Sequence, residues 1–134
     1  MELARKHEVG VDPKTASGPA LRVFFKIAER WGLNVEEQMN LLGLTARSTF
    51  FNWKKEKCGV LSLDTLERIS YLIGIFKALH ILLPNEDAAD HWIRKDNRAP
   101  LFAGKSALKR MLSGRVSDLY IVRQYLDAQR GGWG

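Results

Sequence analysis

A single cysteine, Cys58, stands among 134 residues. A disulfide framework needs a pair and a cysteine-based zinc site needs several, so neither is available. Histidine is almost as scarce. His7, His80 and His91 lack the i, i+4 spacing that would put two imidazoles on one helical face, so no metal is expected. Long apolar runs are missing too. The greasiest stretch, residues 72–83, is interrupted by Lys77 and His80, and a bilayer span takes about 20 residues. The opening MELARKHEVG has no apolar core of a secretion signal, so a cytoplasmic location is expected. There is no Gly-x-Gly-x-x-Gly, Walker or Gly-x-Ser-x-Gly pattern. The acidic pairs Glu36/Glu37 and Glu86/Asp87 open helices, where they offset the helix dipole rather than act as acid and base. Neither enzymatic activity nor a cofactor is expected.

What is present is helix, with no convincing strand, and the fold class read from the pattern is all-α. Residues 1–16 are polar and aperiodic and read as a flexible arm. Ser17 reads as the N-cap of a first helix with Pro19 in its first turn. Leu21, Phe24, Ile27, Ala28 and Trp31 form its apolar stripe, and Gly32 stops it. Asn34, with Glu37 three residues on, approximates a capping box for a short second helix ended by Gly43. Thr45 is expected to cap a third helix over 46–57. Ser62 opens a long fourth helix to about residue 83, where Pro84 stops it, and Asn85 caps a fifth. A loop over 96–104 precedes two last helices, 105–112 and 116–130. The chain therefore divides into an arm (1–16), a helix-turn-helix unit (17–62), a long central helix (63–84) and a C-terminal module (85–134). The second half of the central helix is apolar nearly all round. Leu72, Ile75, Phe76, Leu79 and Leu83 exceed what short neighbouring helices are expected to cover, which predicts a homodimer contact.

Charge is distributed unevenly over a net +6. Residues 63–93 carry two cations against five anions, whereas 94–134 carry nine against three. Within 46–57, Arg47, Lys54, Lys55 and Lys57 face only Glu56. A short helix, a turn holding Gly43 and a second helix is the helix-turn-helix pattern. At 100° per residue, Phe50 and Trp53 share the inward face of the third helix. The outward side gathers Arg47, Ser48, Thr49, Phe51, Asn52, Lys54 and Lys55. Arg pairs with guanine, Asn with adenine, an exposed aromatic meets a thymine methyl, and Ser and Thr suit phosphates. Operator DNA is the expected partner. Phe50 falls one place later after the turn glycine than is usual, which predicts a longer turn or a rotated helix.

Downstream, Trp92, Asn97, Gly104, Ser106, Leu112, Gly114, Val122 and Leu126 follow the order and spacing of the toxin-binding domain of the Xre/MbcA/ParS antitoxin family. Ala103 stands where that pattern has its first Gly, and Ala107 where it has Pro. Upstream, Thr49 to Trp53 and Arg68 also resemble the family's Xre-like helix-turn-helix, so the likeness spans about 20–133. The resemblance implies a type II antitoxin: a C-terminal module that covers a RES-domain toxin acting on NAD and blocks its NAD pocket with its last residues. It also implies a helix-turn-helix that represses the operon, and self-association. On that reading Arg123, Tyr125, Gln129 and Arg130 of the last helix, with Trp133 and Gly134 beyond it, contact the toxin. The alternative is a free-standing regulator whose C-terminal module only dimerises.

Overall fold

The computed structural model describes residues 12–56 and 59–131, and its regular elements are all helices. Among the described residues the β-type pairing is confined to an isolated antiparallel bridge between Asp96 and Ser106. Helix α1, Pro13–Trp31, begins earlier than expected. Asp12 accepts a hydrogen bond from the Lys14 N–H at 3.0 Å, and Pro13 takes the first helical position, where its missing N–H costs nothing. Ser17 is therefore not a cap. It is fully buried inside α1, where its hydroxyl donates to the Pro13 carbonyl and accepts from the Leu61 N–H at 2.9 Å. A residue read as a helix start is instead a tether to the chain entering the central helix.

Helix α2, Val35–Leu42, carries the complete capping box: Glu37 N–H donates to Asn34 Oδ1 at 2.8 Å, and Asn34 N–H donates to Glu37 Oε1 at 2.9 Å. Helix α3, Arg47–Glu56, follows a turn over residues 43–46. Gly43 in that turn has φ +76°. A Cβ there would lie 2.9 Å from Arg68 Nε, so glycine serves both the backbone and the passing guanidinium. Helix α4, Leu63–Leu82, is capped by Ser62, which accepts from the Thr65 N–H at 3.1 Å. Helix α5, Glu86–His91, continues into a 3₁₀ turn, Trp92–Arg94. Helices α6, Ala107–Met111, and α7, Val116–Gln129, close the fold.

Helix α4 is the axis of one core. It packs most extensively against α7 on one side and α1 on another. Leu72, Ile75 and Leu79 are fully buried among Leu21, Phe24 and Ile27 of α1 and Leu119, Val122 and Leu126 of α7. This corrects the reasoning behind a dimer contact at those three positions. The neighbouring helices are long enough to cover them within one chain. Phe76 is half-buried beside Trp31, with ring centres 6.1 Å apart, and Leu83 is half-buried. Ile81, near the end of the same helix, is 56% exposed.

Polar bonds tie the two halves together. Arg94 donates to the carbonyls of Trp31 at 3.2 Å and Gly32 at 2.9 Å, satisfying the open end of α1, and pairs with Glu37. Arg30 and His80 both reach buried Asp90, at 2.8 and 2.9 Å. Asn40 Nδ2 donates to the Leu112 carbonyl at 3.0 Å, and Arg68 to the Gly114 carbonyl at 3.1 Å.

Candidate functional site

Phe50 decides which way α3 faces. Its ring is fully buried and meets Phe25 of α1 edge-on at 5.9 Å, while Phe25 meets Phe24 at 5.3 Å. With Trp53 half-buried on the same side, the rotation of α3 about its axis is set. Arg47, Ser48, Phe51, Asn52, Lys54 and Lys55 are then exposed together, and Thr49 is half-buried at the edge. Phe51 keeps 45% of its surface open. The Lys54 ammonium lies 5.7 Å from the centre of the Phe25 ring. Arg47 is not a free cation. Its Nη1 is 2.6 Å from Glu36 Oε2, and its guanidinium lies 5.6 Å from the Phe51 ring centre.

Glu36 in this arrangement escaped the reading of the sequence, which saw only a dipole partner. A second omission is Arg22 and Lys26. They join Phe25, Glu29, Gln38 and Lys54 around a cleft of about 550 Å³ between α1, α2 and α3. Their i, i+4 spacing on α1 was the available signal. They widen the positive surface beside α3.

In the C-terminal module the loop after the 3₁₀ turn is closed by Asn97. Its N–H donates to the Lys105 carbonyl at 3.0 Å, its carbonyl accepts from Gly104 at 2.8 Å, and its side-chain oxygen accepts from the Ala99 N–H at 2.8 Å. Ala103 holds φ +53°, a left-handed conformation costing an L-residue roughly 1 kcal/mol, which is why glycine suits this place. The loop presses Phe102 into an aromatic cluster, edge-on to Trp92 at 5.9 Å and to Tyr125 at 5.2 Å.

Beside it, Lys105, Lys109, Arg110 and Arg115 line a hollow of about 300 Å³ around Asp118. Asp118 is buried and accepts from Ser113 Oγ at 2.6 Å and Arg110 Nε at 3.0 Å, with Arg115 at 3.3 Å. The Ser113 hydrogen bond, aided by the two guanidinium charges against the cost of burial, holds its carboxyl below the usual carboxylate range. The lowered value means that the folded state binds this proton less readily than the unfolded chain. Its stabilising contribution is therefore present at neutral pH and is lost as acid takes the pH below the ordinary aspartate value towards the folded one.

The residues assigned to the toxin do not form one patch. Arg123 crosses α4 over Gly74, where a Cβ would lie 2.5 Å from its Nε, and pairs with Asp127 at 3.5 Å. Arg130 pairs with the same carboxylate at 3.8 Å. Tyr125 turns to the opposite flank and packs on Phe102, and the helical period puts Gln129 on that flank as well. Trp133 and Gly134 lie outside the described residues. Among the described residues no three His, Cys, Asp or Glu groups lie together to hold a metal, and no helix is long and apolar enough to cross a membrane.

Two family models match the chain. Residues 11–74 match the antitoxin Xre-like helix-turn-helix domain, and residues 78–132 match the antitoxin Xre/MbcA/ParS C-terminal toxin-binding domain. The chain is also similar to the uncharacterized protein y4oB of Sinorhizobium fredii (strain NBRC 101917 / NGR234). The two are 56% identical over 112 residues, 84% of each chain.

Proposed function

Because this chain belongs to the Xre/MbcA/ParS antitoxin family, we propose that it does two things: it neutralises a RES-domain, NAD-degrading toxin with its C-terminal module, and it represses its own operon by laying α3 in the major groove. The observation that carries the DNA half is the outward side of α3. Arg47, Phe51, Asn52 and Lys55 are exposed together over a buried Phe50, which is the side-chain set that reads base edges and phosphates. The toxin half rests on the matched C-terminal module and its basic surface around Lys105 and Lys109.

Footprinting of the upstream promoter, with and without toxin, tests the first half. Arg47→Ala is expected to weaken operator binding by about 1–3 kcal/mol and to relax base preference. Lys55→Ala is expected to flatten the salt dependence by about one unit. No protection in either condition would remove the DNA role. Co-purification with the product of an adjacent RES-domain reading frame tests the second half. Promoter binding without such a partner would favour a stand-alone regulator. Self-association belongs to the same reading but on a smaller patch than first expected, with exposed Ile81 and half-buried Phe76 and Leu83 at the end of α4. Sedimentation as a monomer at micromolar concentration would remove it.

A further inference from the structure

We infer that Glu36 is a specificity-determining residue, a positioning group that holds Arg47 for a guanine edge and against capture by phosphate. The inference rests on the reading of α3 as the groove-bound helix. Glu36 lies in the first turn of α2 and Arg47 is the first residue of α3, so the turn over 43–46 brings the two charges together. The side chains of Arg47 and Glu36 are 58% and 74% exposed, so the pair closes no core and adds little to folding.

Its effect is directional. One guanidinium nitrogen is 2.6 Å from the carboxylate, and the Phe51 ring lies 5.6 Å from the group's centre. The fork has five N–H donors in a fixed plane, so those not used by Glu36 remain for a base, already oriented. An Arg47 without these restraints would take the nearest phosphate, a contact that carries no sequence information. The carboxylate repels a phosphate. The O6 and N7 acceptors of guanine are uncharged and meet far less repulsion. Glu36 therefore penalises every DNA sequence, and penalises least the one that puts guanine in register. Specificity arises from that difference rather than from tighter binding.

The test measures binding of the full-length chain to the promoter duplex and to a shuffled duplex of equal length, by fluorescence anisotropy at one salt concentration. Glu36→Gln is expected to lower the ratio of the two affinities about tenfold, mainly by tightening binding to the shuffled duplex. In an Arg47→Ala background the same change should move the ratio less than twofold, and Glu36→Asp, which keeps the charge, should restore part of it. Unchanged melting temperatures show that the fold is not the cause. A Glu36→Gln ratio within twofold of the wild type, whether both affinities stay put or rise together, overturns the inference and leaves DNA binding standing. A wild-type chain that does not distinguish the duplexes overturns both.

Discussion

Cells carrying the toxin together with a chain that lacks residues 129–134 are expected to lose NAD as they would with toxin alone, although the truncated chain still folds and still binds the toxin. The expectation follows from where the core ends. Leu126 is the last buried residue of α7, and Arg130 contributes a surface contact to Asp127 at 3.8 Å, worth about 0–1 kcal/mol. Removing residues 129–134, which follow the last buried position of α7, should leave the melting temperature nearly unchanged. What is lost is Arg130 and Trp133 in a glycine-rich stretch, Gly131-Gly132-Trp133-Gly134. An indole offers a flat apolar face to a pocket shaped for a nucleotide ring, and a guanidinium pairs with carboxylates. Ordering so few residues costs little when the rest of the module anchors them. The measurement is cellular NAD with full-length or truncated chain. Full protection by the truncated form would show that inhibition comes from the body of the module.

Phe50→Ala is expected to be the most damaging single substitution in the N-terminal half. Truncating a fully buried phenylalanine costs about 3–5 kcal/mol, a large part of the roughly 5–15 kcal/mol that holds a domain together. At this chain length that corresponds to a fall of about 10–20 °C in melting temperature, read by circular dichroism. Promoter binding should go with it, because the Phe25–Phe50 contact at 5.9 Å is what orients α3. Phe51→Ala, one residue along and exposed, should leave the melt within about 2 °C and still weaken promoter binding. Equal thermal loss in the two variants would mean that the inward and outward faces of α3 have been exchanged.

The parts of the fold that could be read from the sequence are those settled by neighbours along the chain. Asn34 with Glu37, Ser62 and Asn85 all cap the helices they were expected to open, because each bond spans three residues. Phe50 was identifiable as the anchor of α3 because one helical period separates buried from exposed. The Asp12-Pro13 start is an N-cap followed by Pro at the first helical position, but Ser17 with Pro19 offers a second such signal a few residues on. Ser17 has its second bond on Leu61, which no local pattern signals. The cover over Leu72, Ile75 and Leu79 could not be read either. Periodicity shows that a helix is apolar all round but not whether a neighbouring helix or a second chain covers it. Arg94 at the end of α1 and Glu36 on Arg47 were missed for the same reason, being contacts made by folding rather than by sequence order.

The two matched family domains meet between residues 74 and 78, inside α4. No hinge separates them. The same helix carries residues of both, while Arg68 and Arg94 fasten the turns and ends of one half to the carbonyls of the other. The shared helix and these bonds couple the stability of the two halves, so global unfolding takes both together. A partner that grips the C-terminal module and favours the folded form at a hundred times its dissociation constant adds about 2.7 kcal/mol to the whole, α3 included. An antitoxin with no toxin to hold lacks that protection throughout its length. On the proposed function, proteolysis would then remove α3 together with the C-terminal module, and repression would follow the amount of toxin available to shelter the chain.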